Sequence, residues 1–440
     1  MLPRELAIVM RARITWLIAA LAALLCGHSF VLAVDLYTAG SRSVQAGTLM
    51  AREFDPLLGI IRPLLGGVYI AGSLLLPLLA ARPLAVEKER KSLRVLLLQS
   101  AAPARVVLSK FLAALCGAAL LLLGPLALLL LWRSAGGHLA IAETATALLG
   151  QALYLVLVAA LALAAAAWTE TVAQAAALTL VLVLFSWAVD AAEGFAALAW
   201  LGRAADWSVT SHLGSFEHGT LSLGDCAWML AASVAALAAA LLGARFDLPL
   251  RRRALWLLVI AASALFGLRA AARQPLALDL TELQRGSLPP AAVQAIKTLS
   301  GPMSVSVYLD RDDARRRQME SDVLARLRLA RPGVKVVYPL DDLPAAGEGA
   351  HGEDYGRTLV CVAARCKASF SSSRKEIITV LFEAAGQPLP DWSQPEYPGY
   401  PLIMEGHRRS TILVFSYVLF PGLYLALGWL LTRATRRRVL

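Results

Sequence analysis

The sequence predicts a mainly α, polytopic membrane bundle of about eight spans, with one small α/β domain outside the membrane. Three observations predict it. Hydrophobic residues make up 58% of the 440, and mean hydropathy is +0.62. Uncharged apolar stretches recur at the length a helix needs to cross a bilayer, about 20 residues. Charged residues are only 17% and collect between those stretches. A soluble domain has no use for so much apolar surface. The formal net charge of +11 follows the positive-inside pattern, because Arg and Lys concentrate in alternate loops. No basic stripe interleaved with aromatics stands outside those loops, so nucleic acid is not an expected partner and membrane lipid is.

The elements follow in order. Arg4, Arg11 and Arg13 precede an apolar run containing Leu24-Leu25-Cys26-Gly27. Leu25 is too bulky to precede a lipoprotein-type cysteine, and no small-x-small site follows. The first span is therefore expected to be uncleaved and preceded by an interfacial amphipathic helix. The predicted spans are Trp16 to Val34, Leu64 to Ala81, Phe111 to Trp132 and Ala145 to Trp168. Val172 to Val189, Cys226 to Ala244, Ala254 to Leu268 (with an apolar face reaching Ala272) and Thr411 to Leu431 complete them. Only Thr169-Glu170-Thr171 separates the fourth from the fifth, which predicts a tight helical hairpin. Basic residues at Arg82 to Lys110, Arg245 to Arg253 and Arg433 to Arg438 share a side with the N-terminal arginines. Opposite loops hold only Arg42, Arg52, Arg62, Arg133 and Arg203. Both termini are thus expected in the cytoplasm of a bacterial inner-membrane protein.

Composition changes sharply between the last two spans. Met303 to Leu309 alternates like a half-buried strand, and Asp312 to Ala330 places Met319, Val323, Leu327 and Ala330 on one helix face. Val334 to Tyr338 reads as a strand, Leu359 to Ala363 and Lys367 to Phe370 as a hairpin, and Ser373 to Ala385 as a helix. Gly386 to Pro401 is a linker rich in Pro, Gly and Tyr. The expected organisation is a membrane domain over 1–245, a linker and seventh span over 246–272, an extracytoplasmic domain over 273–410, and a last span with a basic tail over 411–440.

No phosphate-binding loop, H-E-x-x-H, G-x-S-x-G or C-x-x-C occurs. The six histidines have no metal-ligand spacing, so no metal or other cofactor is expected in this chain. Glu170, Asp190 and Glu193 sit at span ends, where interfacial solvation accounts for them and no convergent polar constellation is expected. Cys26 and Cys116 read as packing residues, and Cys226 as a span-edge residue. Cys361 and Cys366 flank the hairpin turn on the oxidising side, where they form either a cross-strand disulfide or two buried thiols.

The segment Val86-Glu-Lys-Glu-Arg-Lys-Ser-Leu-Arg-Val-Leu-Leu-Leu-Gln-Ser-Ala-Ala-Pro-Ala-Arg-Val-Val-Leu-Ser-Lys110 is the most informative. Solvated loops do not embed Leu93, Val95 to Leu98 and Val106 to Leu108, which call for a partner surface or the headgroup region. It resembles the coupling region of ABC-2 type permeases, "E-x-E-x-G-T-L-x-x-L-L-x-S-P" leading to "G-K". Glu87, Glu89, Leu93, Leu96, Leu97, Ser100, Pro103 and Lys110 match; Lys91-Ser92 replaces Gly-Thr and Ser109 replaces the Gly before the lysine. A second stretch, Ser208 to Asp225, resembles the gliding-motility-type branch's outer segment through His212, Phe216, Gly219 and Asp225. Residues Asp279 to Ala330 look like the start of that branch's auxiliary subunit, shortened to its thioredoxin-like portion.

The resemblance implies a membrane subunit of an ATP-driven exporter, with no ATP site of its own. Arg90 and Lys91 join the matching residues as the expected contact with a cytoplasmic ABC ATPase, which binds ATP and magnesium. Two permease halves enclose a path, so a second copy of this chain is expected. The Ala-rich fourth to sixth spans suit close helix contact in lipid as well as they suit a composition bias. The alternative reading is an ATP-driven envelope assembly or signalling device, which hands force to an extracytoplasmic partner without moving a solute. With no mid-membrane charged lining in view, an amphiphile, lipid-linked molecule or peptide is a better cargo than an ion.

Overall fold

The computed structural model describes residues 2–45, 56–98, 102–192, 207–272, 276–282, 287–310, 313–341, 354–390, 398–404 and 406–436. Ser100, Glu193, Asp312 and the loop arginines Arg52 and Arg203 lie outside them. Two compact units emerge: Met1–Trp187 with Trp207–Glu282 and Glu396–Leu440, and Ala188–Asp206 with Leu283–Pro395.

The first unit is helical. A short amphipathic helix, α1 (Leu2–Arg11), turns at Ala12 into α2 (Arg13–Gln45). A π-helical turn, Leu57–Ile61, opens α3 (Arg62–Ala80), which runs through Ala81 into α4 (Arg82–Glu89). Then come α5 (Ser92–Leu98), α6 (Pro103–Ser134), α7 (Ile141–Trp168) and α8 (Val172–Ala192). Next are α9 (Val209–Glu217), β1 (Thr220–Ser222), α10 (Leu223–Gly243) and α11 (Leu250–Ala272). Strand β2 (Ala277–Asp279) pairs antiparallel with β1. Eight helical segments of the described chain are long and apolar enough to cross a membrane, matching the spans read from sequence. The seventh, α11, does reach Ala272, but only 6% of its apolar window is buried.

Helices in lipid gain little from burying apolar surface and associate by close van der Waals packing. The chain supplies small residues where helices cross. A Cβ at Gly67 would meet Cys26 and Ser29, and one at Gly150 would overlap Phe216. Cys26 is buried in this core as expected, but Cys116 is exposed on the outside of α6, so it is not a packing residue. The sequence gives Cys116 an apolar neighbourhood without saying which face of the helix it occupies.

The second unit is built on α12 (Pro290–Thr298), β3 (Met303–Val307) and a helical stretch of α13 (Ala314–Met319), a π-helical turn (Glu320–Leu324) and α14 (Ala325–Ala330). Strands β4 (Lys335–Val337), β5 (Thr358–Val362) and β6 (Arg365–Ser369) precede α15 (Arg374–Ala385). The sheet order is β4-β3-β5-β6, with β3 parallel to β4 and the other pairs antiparallel. Alternate residues of β3 and β5 are buried, and so are Met319, Val323, Leu327 and Ala330, the face that periodicity predicts. Ser373 caps α15 by accepting from the Glu376 N–H, and Gly386, with φ 67°, ends it in the left-handed conformation. Cys361 and Cys366 are paired across β5 and β6 and joined by a disulfide.

The last helical stretch returns to the first unit: α16 (Gly406–Val414), a π-helical turn (Phe415–Leu419) and α17 (Phe420–Arg436). It packs along α2. Arg409 donates to both carboxylate oxygens of Asp35 at 2.8 and 3.0 Å, and Tyr424 OH donates to the Leu120 carbonyl at 2.6 Å.

Candidate functional site

The segment between the second and third spans folds back on the bundle. Its helix α4 continues α3 past Ala81, with Pro83 placed in the first turn, where a missing N–H costs nothing. Arg90 closes α4, and Lys91 takes φ 57°, the left-handed region that a side chain resists. The chain then re-enters helix at α5, with Leu93 buried and Leu96 half-buried against the core. Arg90, Lys91, Ser92 and Val95 are exposed. The side chain of Leu97 lies outside the described atoms.

A buried charge cluster organises this fold-back. Lys110, at 0% exposure on the first turns of α6, places its ammonium 2.7 Å from the Pro83 carbonyl, 2.9 Å from Glu87 Oε2 and 3.2 Å from Glu5 Oε2. The ammonium donates to the Pro83 carbonyl and to Glu5 Oε2, and Glu87 Oε2 pairs with its charge, so two carboxylates compensate the buried cation. The cluster ties α1, α4 and α6 together. Sequence reasoning found Lys110 and Glu87 but missed Glu5. The available signal was a carboxylate sharing the inward face of α1 with Val9.

A second set of contacts staples α4 to the α7–α8 hairpin. Lys88 Nζ donates to the Ala167 and Thr169 carbonyls at 2.9 and 2.7 Å, with Glu170 at 3.7 Å. Glu89 accepts from the Val172 N–H at 2.8 Å. A cation thus meets the carbonyl end of α7 and an anion the amide end of α8, both favourable against the helix dipoles. Glu87 is spent on an internal contact and Glu89, though exposed, holds the Val172 N–H, so the turn beyond them presents Arg90, Lys91, Ser92 and Val95. Pro103 sits half-buried at the start of α6.

The outer-segment residues converge elsewhere in the unit. Asp225, at the start of α10, accepts from Ser215 at 2.5 Å and lies 2.6 Å from His212 Nδ1. The His212 ring stacks on Trp228 at 4.2 Å. The carboxylate thus bridges the Ser215 hydroxyl and the His212 ring, and the arrangement clamps α9 to α10. Phe216 is fully buried against Gly150. Gly219 has φ 71°, and a Cβ there would press on Thr281 and Glu143. Beside it, burial pushes the Glu217 carboxyl up, against the opposing pull of Arg62 at 3.2 Å. His218 does not join His212 but bonds the Gly214 carbonyl. These two clusters correct the expectation that no polar constellation converges. Lys110 and Glu5 are 105 positions apart, beyond any local spacing rule. Among the described residues no group of His, Cys, Asp and Glu is arranged to hold a metal ion. Compared with known proteins, the chain matched no family model, no curated protein and no solved structure.

Proposed function

We propose that this chain is the membrane-spanning subunit of an ATP-driven ABC exporter, and that residues 82–110 receive the stroke of a separate cytoplasmic ATPase. The observation that carries the reading is the mounting of that segment. Its two ends are fixed to α1, α6 and the α7–α8 hairpin by the Lys110 and Lys88 contacts, while Arg90, Lys91, Ser92 and Val95 stay exposed at its turn. A push on that turn passes into four helices through short polar contacts. Magnesium-ATP belongs to the partner, and a second copy of this chain completes the path. In this reading the second unit is a thioredoxin-like domain facing the periplasm; its β4-β3-β5-β6 strand order is compatible with the fold, and the side follows from the basic loops alone. Without a C-x-x-C it carries no redox role in this reading.

The test uses the turn, since Glu87 and Glu89 have internal work. Arg90→Glu with Lys91→Glu is expected to cut ATP turnover of the purified complex by at least about tenfold, with the chain's own melting unchanged. Unchanged turnover and unchanged association with the ATPase would sink the reading. Full turnover in vesicles with no solute moved would favour the force-handing device instead.

A further inference from the structure

A cleft of 1130 Å³ opens beside the stapled segment, where α7 and α10 end and α6 and α11 begin. It is larger than the ~300–1,000 Å³ usual for small-molecule pockets. One wall is apolar: Trp168, Leu241, Phe246 and Leu250. The charged lining is Lys88, Arg245 and Arg253 against Glu170 and Asp247. These groups differ in what they have left to give. Lys88 donates to two carbonyls and lies near Glu170. Arg245 gives Nε and one Nη to Asp247. Arg253 gives only Nε, to the Leu248 carbonyl, with its guanidinium 5.5 Å from the Phe246 ring centre. Both Nη groups of Arg253 and one of Arg245 make no hydrogen bond with any described residue.

We infer that this cleft binds an anionic phosphate group, held by the free guanidinium edges of Arg245 and Arg253. Arginine forks match phosphate oxygens in charge and geometry. The apolar wall favours a lipid as the source. The cleft lies where candidate spans end, the level at which headgroups would meet a membrane protein, and Trp168, Leu241 and Leu250 offer a surface for the first acyl carbons that inorganic phosphate cannot use. Adjacent Arg251 and Arg252 are exposed and do not line the cleft, so the proposal singles out two arginines from a basic run. It does not depend on the exporter reading.

The test is thermal unfolding of the purified chain in detergent, with short-chain phosphatidylglycerol, short-chain phosphatidylcholine or inorganic phosphate added. Phosphatidylglycerol is expected to raise the midpoint by on the order of 3 °C in the wild type and in Arg251→Gln/Arg252→Gln. The shift is expected to vanish in Arg245→Gln/Arg253→Gln, which has the same net charge as that control. Ala104→Trp, which puts a bulky ring into the cleft lining without removing a charge, is expected to abolish it too and covers the case of a poorly folded arginine variant. An equal shift from inorganic phosphate, lost in the same variants, would keep the phosphate site and make its source a free anion. Equal loss in both arginine pairs, an equal shift with phosphatidylcholine, or a shift that survives Ala104→Trp would overturn the site.

Discussion

Lys110 has no solvent to fall back on. At 0% exposure, its charge is held, among the described residues, by Glu5, Glu87 and the Pro83 carbonyl. Removing one partner of a buried ion cluster costs more than the cluster contributes, because the remaining charges stay buried and uncompensated. Lys110→Met keeps the length of the side chain and leaves two carboxylates facing each other. We expect it to lower the stability of the purified chain by about 3–5 kcal/mol and to raise hydrogen exchange in α1. A variant that melts like the wild type and keeps α1 protected would show that the cluster is not what holds the fold-back. Part of this was legible in the sequence. Lys110 and Glu87 stood out as charges beside apolar runs, but their direction did not. Glu87 reads as a docking contact until the chain folds Lys110 over it. The left-handed φ of 57° at Lys91 has no signature in the sequence and is visible only in the backbone.

At the scale of elements, the alternation of β3 and the apolar face of the helix that follows it were written in the period of the residues, and both are observed. The ion network on that helix was not, because it joins segments far apart in sequence. Asp313 precedes α13 and takes contacts from Arg315 and from the Tyr355 hydroxyl at 2.9 Å. Burial pushes its carboxyl up, yet the bonds from Arg315 and Tyr355 outweigh that and hold it below the ordinary carboxylate range. A carboxyl lowered in the folded state adds stability above its unfolded value, near 3.9, and loses it as pH falls through the folded value. Asp313→Asn is therefore expected to speed hydrogen exchange in β5 at pH 7, with the gap to wild type closing below about pH 4. A gap independent of pH would assign the effect to packing instead. On the other side of the sheet, the disulfide holds β6 to β5 through residues whose spacing left free thiols equally open.

For the whole molecule, the sequence reads the last span as the end of an appended piece, whereas its packing makes it part of the bundle. Composition cannot show this, since an apolar helix facing lipid and one facing another helix share the same alphabet. The contacts can. Gly27 lets the Ser416 carbonyl approach to where a Cβ would sit 2.7 Å away, and Gly428 does the same for the Trp16 ring. Arg408 donates to the Ala135 carbonyl at 2.9 Å, and Leu402 N–H to Ser41 Oγ at 3.0 Å. The Arg409–Asp35 pair is half exposed, so it adds direction rather than much energy. Backbone approach is the stronger term, because neither helix can yield to a new side chain without moving along its length. Gly27→Leu is therefore expected to lower the melting midpoint more than Arg409→Gln does, and a chain ending at Pro395 to lose a single cooperative transition altogether. If the shortened chain unfolded at the full-length midpoint, the first seven spans would be self-sufficient and the eighth only an anchor for the unit before it. If Gly27→Leu alone were tolerated, the two helices would pack elsewhere along their length than at Ser416.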